Sequence, residues 1–379
     1  MSLRIPFNKP YMTGKELYYI AKAHASLHLS GDGSFTKACN KWLQTLSGSP
    51  TVLLTHSCTA ALEMSALLCD IKPGDEVIVP SFTFVTTVSS FVMRGAVPVF
   101  VEIRPDTLNM DEKQIEKSIT KKTKAIVPVH YAGVGCNMSA IMKIARAHGL
   151  RVVEDNAQGV MSKYKGKPLG SFGDLAAVSF HETKNIISGE GGAIYINDPS
   201  LKEKAEIIRE KGTNRARFFR GQVDKYTWED LGSSYLPSEI IAAFLYAQME
   251  EAEKITATRL KIWHRYHEAF ADLEKKGKLR RPIVPKECKH NAHMYYLLLN
   301  SLKQRTKFIA KMREKEIGCV FHYLPLHDSP AGRKFGRFDQ DLPITKKVSD
   351  TLVRLPLWVG LEKDGEQDYV IENVLKILG

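Results

Sequence analysis

The chain has 379 residues, of which 44% are hydrophobic and 25% are charged, as in an ordinary soluble globular protein long enough for two domains. No apolar stretch approaches the roughly 18 to 20 residues that span a bilayer, which excludes a transmembrane helix. The net charge of +12 fits either plain solubility or an anionic ligand. Nucleic acid is not favoured, because the densest basic stretches, KSITKKTK and EKKGKLRR, contain no aromatic residue that could stack on a base.

The beginning of the chain and its cysteines limit the cellular setting. The stretch MSLRIPFNKP lacks the apolar core of a secretory signal, so we expect a cytoplasmic protein whose six cysteines are reduced. The cysteines contain no C-x-x-C pair, which argues against a disulfide framework and a zinc site. We therefore predict no metal.

From about residue 50 to residue 200, short β-rich runs alternate with helical patterns. The predicted strands are TVLLT, EVIVP, VPVFVEI, AIVPVHY, RVVED, AAVSF and GGAIYIND. The predicted helices between them are TAALEMSALLCD and SAIMKIARAHG, and Gly149 is expected to cap the second one. This alternation predicts an α/β fold with a mostly parallel sheet, whose ligands collect at the carboxyl ends of the strands.

After about residue 240 the pattern changes. A long helical stretch, EIIAAFLYAQMEEAEKITATRLKIWHRYHEAFADL, precedes a second α/β region whose clearest strands are MYYLLL and CVFHYLPL. We place a boundary inside or beside the helical stretch. The prediction is a large domain over 1–250 and a smaller C-terminal α/β domain over 251–379.

Two candidate site elements lie at predicted strand ends, and each has a simpler alternative. Asp155 ends the strand in RVVEDNAQ, so its carboxylate would lie at the carboxyl edge of the sheet, although aspartate is also a common helix cap. In LLTHSCTAALEM a strand runs into a helix whose N-terminus could bind an anion, although Ser57 or Thr59 could simply cap it. The stretch is neither a Walker loop nor a G-x-G-x-x-G fingerprint, which argues against a nicotinamide oxidoreductase.

Two further elements could complete a site. Phe82 and Phe84 follow a strand end in IVPSFTFVTT; both could be core residues, or one could form a wall for a flat ring. Lys184 lies between the strand that ends at Ser179 and the glycine cluster GEGG. Most lysines are solvated surface charges, but a lysine held at the rim of a sheet loses hydration, lowers its pKa and becomes a nucleophile for carbonyl carbons.

These parts match one small molecule. Pyridoxal phosphate has a phosphate for the anion site, a flat ring for the aromatic wall, a ring nitrogen for the carboxylate and an aldehyde for the amine. A lysine at the aldehyde with an acidic partner at the pyridine nitrogen is the recurring arrangement in proteins that use this cofactor.

The same residues lie in motifs that resemble the DegT/DnrJ/EryC1/StrS family of sugar aminotransferases. The resemblance runs over nearly the whole chain and includes IPFNKP, SGDGSFT, SCTAALEM, PGDEVIVPSFTFV, PVHYAG, VVEDNAQ, SFHETKN with GEGG, FHYLPLH and RLPL. It implies the type I, aspartate aminotransferase-like fold and pyridoxal phosphate as the cofactor. It also implies a homodimer whose active sites are built from both subunits.

The resemblance assigns roles by position. Lys184 is implied to bond covalently to the cofactor and Asp155 to pair with the pyridine N–H. The other implied cofactor-binding residues are Gln158 near the ring, Thr59, Ala60 and Ser179 at the phosphate, Phe84 stacked on the ring and His181 nearby. For the sugar nucleotide, the candidates are Arg220, Lys225 and His322.

One segment departs from the family pattern. The family commonly has G-x-N-x-R, whose asparagine reaches the cofactor phosphate of the partner subunit, whereas here GSSYL places Ser234 and Leu236 at those positions. Asn214 or Arg220 could compensate for the shorter serine. The surrounding GTNRARFFRGQVDKYTWEDLGSSYL resembles members that form dTDP-4-amino-4,6-dideoxygalactose for enterobacterial common antigen, which implies L-glutamate and dTDP-4-keto-6-deoxyglucose as substrates.

Three alternatives stay open for the activity. The substrate could be a UDP- or GDP-linked sugar. The reaction could be dehydration, although relatives of that type have histidine at the lysine position. The protein could also be a regulatory relative without catalytic activity.

Overall fold

The computed structural model describes residues 3–379, and its centre is a seven-stranded sheet with the order β1-β9-β8-β5-β4-β2-β3. The pairs β2–β3, β2–β4, β4–β5 and β5–β8 are parallel. Only β9 runs against its neighbours β1 and β8. The sheet is therefore mostly parallel, and the predicted α/β fold is confirmed.

The elements have the following bounds. The strands are β1 (Thr51–Thr55), β2 (Glu76–Pro80), β3 (Val97–Val101), β4 (Thr123–Ile126), β5 (Arg151–Asp155), β6 (Lys163–Tyr164), β7 (Lys167–Pro168), β8 (Leu175–Ser179), β9 (Gly192–Ile196), β10 (Cys288–Lys289), β11 (Tyr295–Leu298) and β12 (Leu352–Leu355). The helices are α1 (Glu16–Ala25), α2 (Ser34–Ser47), α3 (Cys58–Leu68), α4 (Thr86–Val92), α5 (Met138–His148), α6 (Lys202–Arg209), α7 (Arg215–Phe219), α8 (Glu239–Glu250), α9 (Ala252–Ala269), α10 (Ala271–Lys275), α11 (Leu302–Glu314), α12 (Pro330–Phe335), α13 (Pro343–Thr351) and α14 (Glu366–Leu378).

All seven strands predicted between residues 50 and 200 occur in the central sheet. Three of them, β1, β2 and β5, have the predicted bounds, because each is a buried apolar run with a clear turn after it. The prediction for β4 extended too far, since the strand ends at Ile126, shortly before Pro128, which has no N–H to donate. The predicted cap is also present: Gly149 ends α5 in the left-handed conformation, with φ of 64°.

A second hydrophobic core lies away from the central sheet. It is formed by α9, α11, α14 and the two-stranded sheet of β11 and β12, and its largest buried side chains include Tyr266, Phe270 and Phe308. Ile5, near the start of the chain, is fully buried in the same cluster. No helix among residues 3–379 is both long and apolar enough to cross a membrane.

The predicted long helical stretch is confirmed as helical, and it consists of three helices, α8, α9 and α10, because the chain leaves helical geometry at Glu251 and Phe270. One prediction for the C-terminal half was wrong. The run CVFHYLPL is not a strand: it makes a single bridge to Arg354 through Val320, and the chain then turns at Tyr323, whose φ is 28°. That turn brings His322 and Tyr323 into the cavity described below.

Candidate active site

Strands β8 and β9 are joined by a loop that carries Lys184. Hydrogen bonds between backbone atoms fold the loop on itself: Phe180 N–H donates to the Gly191 carbonyl, and Glu182 N–H donates to that of Gly189. Asn185 fastens the loop to the C-terminal region, since its amide donates to the Asn291 carbonyl at 2.8 Å. The sheet therefore holds this loop at its carboxyl edge, as the sequence predicted.

The amine of Lys184 lies inside a cavity of about 700 Å³. Burial lowers the pKa of Lys184 from its ordinary value of 10.5, and the positive charge of Arg354 lowers it further, while Cys58 and Asp155 act in the opposite direction. No salt bridge or hydrogen bond to another residue of 3–379 holds its Nζ atom. An enclosed amine without a partner is suited to nucleophilic attack on a carbonyl carbon.

Asp155 lines the same cavity at the end of β5. Its Oδ2 atom accepts a hydrogen bond of 2.6 Å from the hydroxyl of Thr87, and its Oδ1 atom accepts one of 3.1 Å from the Ala157 N–H. The hydroxyl of Thr83 lies 2.8 Å from that of Thr87. Because the Thr87 proton is given to Asp155, Thr83 must be the donor in this second bond, and the chain of hydroxyls fixes the carboxylate.

The N-terminus of α3 forms another wall of the cavity. Ser57 caps the helix by accepting a 3.0 Å hydrogen bond from the Ala60 N–H, so the capping role considered for Ser57 is confirmed. Within residues 3–379, the N–H groups of Cys58 and Thr59 have no acceptor, and both residues line the cavity. Free N–H groups at the start of an eleven-residue helix, beside an enclosed amine, suit a phosphate.

Gly192 allows β9 to approach this helix. A Cβ atom at position 192 would lie 2.4 Å from the carbonyl carbon of Ser57 and 2.5 Å from the nitrogen of Cys58. No residue with a side chain fits there without displacing the backbone. The glycine cluster after Lys184 thus brings the anion-binding end of α3 next to the strand that follows the lysine loop.

Aromatic side chains face the cavity from two regions of the chain. Phe82 is core, with 1% of its surface exposed, whereas Phe84 is 55% exposed and lines the cavity, so Phe84 is the one available as a wall. His322 and Tyr323 also line it, stacked with ring centroids 3.6 Å apart. The hydroxyl of Tyr131 lies 2.7 Å from Nδ1 of His322, which holds that ring in place.

Gln158 links two parts of the site. Its Oε1 atom accepts a hydrogen bond of 2.7 Å from the Ala132 N–H, and its amide nitrogen donates to the Tyr323 hydroxyl at 3.1 Å. These bonds set its orientation at the cavity wall. Ser179 and His181 line the cavity as well, and the imidazole Nδ1 of His181 lies 3.0 Å from the Thr183 hydroxyl.

Four of the predicted site residues lie outside the cavity. Ala60 is buried and its N–H is taken by Ser57. Ser234 bridges to Glu210, and Arg220 forms an ion pair of 2.8 Å with Glu206. Lys225 is exposed. Ser234, Arg220 and Lys225 therefore do not belong to the wall of this cavity. Asn214, the suggested substitute for Ser234, is buried and donates to Glu229 at 2.6 Å.

Several residues of the site were missed by sequence reasoning. Thr83 lines the cavity and Thr87 donates to Asp155, but nothing in the sequence marks either of these small hydroxyl residues as part of the site. Tyr323 was placed in a strand. Arg259 and Arg354 reach the cavity from α9 and β12, and the only signal for either is that Arg354 begins the RLPL motif.

The residues present fit pyridoxal phosphate. The unpaired amine of Lys184, the braced carboxylate of Asp155 and the free N–H groups of Cys58 and Thr59 all open into one cavity. Lys184 would hold the aldehyde carbon, Asp155 the pyridine nitrogen and the start of α3 the phosphate.

Known proteins are similar to this chain over most of its length. The uncharacterized protein MJ1066 of Methanocaldococcus jannaschii is 38% identical over 338 residues, which cover 87% of this chain and 86% of the relative. The GDP-perosamine synthase of Caulobacter vibrioides is 32% identical over 379 residues, covering 99% of this chain and 98% of that one.

Solved structures share the fold over nearly the whole length. The PMP-form of Spr1654 from Streptococcus pneumoniae, described as a putative sugar aminotransferase, has a TM-score of 0.90 and 27% identity, and covers 99% of both chains. Its PLP-form has a TM-score of 0.89. The predicted type I fold and the predicted cofactor, pyridoxal phosphate, are confirmed. The family model of the DegT/DnrJ/EryC1/StrS aminotransferases matches residues 10–375, and the chain belongs to this family of aminotransferases.

Proposed function

We propose that the protein transfers the amino group of L-glutamate to the C4 keto group of a nucleotide-linked 6-deoxyhexose. The specific substrate is dTDP-4-keto-6-deoxyglucose and the product is dTDP-4-amino-4,6-dideoxygalactose, an intermediate for enterobacterial common antigen. The observation that carries the transamination is that the unpaired amine of Lys184 and the braced carboxylate of Asp155 open into one cavity.

Lys184 moves the proton in both halves of the reaction. Bound pyridoxal phosphate supplies an aldehyde that takes up the amino group and a ring that accepts the electrons released at the substrate carbon. The Nζ atom of Lys184 takes the proton from the α-carbon of glutamate, and returns a proton to C4 of the sugar in the second half. Its lowered pKa favours the free amine that such a base requires.

Asp155 keeps a proton at the pyridine nitrogen. The Thr87 hydroxyl donates a hydrogen bond to one oxygen of the Asp155 carboxylate, and the Ala157 N–H donates one to the other oxygen. These two bonds hold the carboxylate in its orientation toward the cavity. A fixed negative charge next to the ring nitrogen stabilises the protonated ring without reorganisation during the reaction. Gln158 and Phe84 would position the ring, and the N–H groups at the start of α3 would bind the phosphate.

The substrate assignment rests on one segment and on charge. Residues 212–236 resemble the members that make the dTDP-linked amino sugar, and the net charge of +12 suits a pyrophosphate-containing substrate. His322 lies at the cavity wall, and burial holds its pKa well below its ordinary value, so it would meet the sugar as a neutral hydrogen-bonding group.

A GDP-linked sugar is the second candidate. The similarity to the GDP-perosamine synthases of Caulobacter vibrioides and Escherichia coli O157:H7, each 32% identical over nearly the whole chain, favours it.

The decisive experiment incubates the purified protein with L-glutamate and dTDP-, UDP- and GDP-linked 4-keto-6-deoxysugars, followed by mass spectrometry and NMR of the product. We expect the dTDP-linked 4-amino sugar in the galacto configuration. Preferential amination of the GDP-linked sugar would show instead that the second candidate is the substrate.

The same assay separates the other activities. A dehydratase would give a deoxy sugar without nitrogen, and a regulatory relative would bind the cofactor without responding to glutamate. Lys184 argues against dehydration, because relatives of that type have histidine at this position.

We also propose that two copies of the chain share their active sites. The segment 215–231 exposes large apolar side chains, with Trp228 78% exposed and Phe219 69% exposed, which suits burial against a second subunit. Ser234 and Arg220 would then reach the partner's cavity. Sedimentation should show a dimer, and mixing an inactive Lys184→Ala subunit with a Ser234 variant should restore part of the activity in hybrids.

The division of the chain at residue 250 is part of the proposal. Helix α8 ends at Glu250 and α9 begins at Ala252, and the buried α9 residues of the second hydrophobic core begin at Ile262. Limited proteolysis that cuts near residue 250 and leaves two resistant fragments would support this boundary.

A further inference from the structure

Asn185 joins the lysine loop to the C-terminal half of the chain. It follows Lys184 directly and is buried, with 8% of its surface exposed. Its side-chain nitrogen donates to the Asn291 carbonyl at 2.8 Å, and its Oδ1 atom lies 3.1 Å from Nδ1 of His293. Among residues 3–379, no other hydrogen bond links the loop 180–191 to the chain beyond residue 240. These two bonds therefore connect the lysine loop to the segment 291–293.

The positions of the protons in these bonds follow from the atoms involved. A carbonyl oxygen can only accept, so the amide nitrogen of Asn185 must face Asn291 and its Oδ1 must face His293. That amide oxygen also only accepts, so Nδ1 of His293 carries a proton and donates it. Burial, and then the nearby charge of Lys184, hold the pKa of His293 well below 6.5, so the imidazole is neutral. Its Nε2 atom is therefore unprotonated, and it has no partner among residues 3–379 although His293 lines the cavity.

The segment 291–293 is itself fixed from several sides. The side chain of Asn291 donates to two backbone carbonyls of the loop after β5, at 2.8 Å and 2.7 Å. The guanidinium of Arg259, in α9, donates to two carbonyls of the segment at 3.1 Å and 2.7 Å. Ala292 has φ of 52°, a conformation that costs energy for a residue with a Cβ atom and persists where its surroundings impose it. The segment is therefore a rigid support for the lysine loop.

We propose that His293 is a positioning residue for Lys184, which it holds in place through Asn185. This inference rests on the proposed role of Lys184 as the base of the transamination, and adds the residue that holds its amine. Consecutive Cα atoms are about 3.8 Å apart, so a fixed Asn185 fixes the point from which the lysine side chain starts. A displacement of about 1 Å can cost roughly a hundredfold in rate, so the proton transfers by Lys184 depend on this support.

The first measurement reads the direction of the hydrogen bond in the protein without cofactor. The NMR spectrum of apoprotein labelled with ¹⁵N-histidine is compared with that of His293→Asn, which assigns the signals of His293. We expect a neutral ring at neutral pH, with the proton on Nδ1 and none on Nε2. A proton on Nε2 alone would overturn the proposal, because Nδ1 could then not donate to Asn185.

The second measurement follows the amine of Lys184, also in the apoprotein. The pH dependence of its acetylation by acetic anhydride, read by mass spectrometry of the peptide, gives its pKa, which should lie below 10.5 in the wild type. In His293→Phe the pKa should rise toward 10.5, because a released amine is better hydrated. His293→Asn should restore the wild-type value, since its amide N–H lies near the Nδ1 position.

The half-reaction of the holoenzyme with L-glutamate, followed by cofactor absorbance without any sugar, gives a third measurement. His293→Phe should lower the maximal rate by about tenfold to a hundredfold and leave the half-saturating glutamate concentration nearly unchanged. His293→Asn should recover most of the rate. Equal losses in the two variants would overturn the proposal, because Nε2, which both lack, would then be the atom that matters.

Asn185→Ala breaks the same bond from the side of the loop, so the test does not depend on the folding of one variant. It should give the same change in the pKa of Lys184 and in the half-reaction. Adding His293→Phe to Asn185→Ala should cause little further loss, because both substitutions remove one interaction. Additive losses would refute a route through Asn185.

His327 provides a matched control. It is also buried, and its Nδ1 atom lies 2.6 Å from the Ser81 hydroxyl, but it does not line the cavity. His327→Phe should leave the pKa of Lys184 and the half-reaction unchanged, even where thermal stability falls. Equal effects of His327→Phe and His293→Phe, or no effect of His293→Phe, would overturn the proposal.

The proposed function and this inference fail separately. A wild-type holoenzyme that does not react with L-glutamate would refute the donor half of the proposed function. The proton position on His293 and the pKa of Lys184 are measured without cofactor and without reaction, so they would still decide the role of His293.

Discussion

The hydroxyl of Thr87 donates a hydrogen bond of 2.6 Å to Oδ2 of Asp155, and Thr83 supports that hydroxyl in turn. This pairing places α4 in contact with the end of β5 and sets the orientation of the carboxylate on which the proposed chemistry depends.

Substitution of Asp155 or of Thr87 should lower turnover, and the substitution of Asp155 should lower it more. Asp155→Ala should reduce kcat by about 10² to 10³, the scale for loss of a preorganised group in an active site. Thr87→Val should cost less, about tenfold, because the carboxylate stays and only a hydrogen bond to a charge is lost. Steady-state kinetics at saturating substrate check this, with Thr45→Val on the exposed face of α2 as the control. A larger effect of Thr87→Val than of Asp155→Ala would refute the order.

The buried amine of Lys184 should destabilise the protein without cofactor. Its pKa is lowered in the folded state and returns to about 10.5 on unfolding, so the unfolded state binds more protons between these values and stability rises with pH there. Lys184→Met should therefore raise the free energy of unfolding of the apoprotein at pH 7, and the gain should shrink as the pH approaches 10. Urea unfolding at both pH values measures this. A gain that does not depend on pH would contradict the assignment of a buried charge.

Gly192→Ala should damage the phosphate end of the site. The added Cβ would lie 2.4 Å from the Ser57 carbonyl carbon, so the start of α3 must move, at a cost of about 1–3 kcal/mol in stability and with weaker cofactor binding. Gly189→Ala is the matched control in the same loop: its φ is 79° but no atom lies within 4 Å, so it adds strain without a clash. Cofactor dissociation constants measured by equilibrium dialysis should change for Gly192→Ala and stay near wild type for Gly189→Ala.

Two histidines should make the second core sensitive to acid. Burial lowers the pKa of His267 and of His290 to about 4, and both rings pack 4.5 Å from Trp263. The unfolded state, with a pKa near 6.5, binds more protons between pH 4 and 6.5, so stability should fall as the pH drops through this range. His290→Gln should make the decline shallower, whereas the exposed His28→Gln should not. Thermal unfolding from pH 7 to pH 4 tests this.

The large sheet was predictable because its strands are short buried apolar runs bounded by turn residues. The same reasoning failed for CVFHYLPL, where β-branched and aromatic residues form a turn around Tyr323. Tertiary contacts decide this segment: His322 is held by Tyr131 and Tyr323 by Gln158, and neither partner is near in sequence.

The sequence predicted the positions of Asp155 and Lys184 because each has a chemically distinctive side chain at, or shortly after, the end of a predicted strand. Arg354 could not be recognised in this way, because what distinguishes it is that its guanidinium forms no ion pair with any residue of 3–379. Whether a charge is paired depends on its neighbours in space. The sequence has 54 lysines and arginines and 42 acidic residues, and their order along the chain does not show which of them are paired. Thr87 was missed for the same reason.

The most direct test of the account is to locate the cofactor on the chain. The holoenzyme is reduced with borohydride, digested and mapped by mass spectrometry. We expect one phosphopyridoxyl group per chain, on the peptide that contains Lys184, and no label in Lys184→Ala. Label on another lysine, or wild-type turnover in Lys184→Ala, would contradict the central claim that Lys184 is the reacting amine.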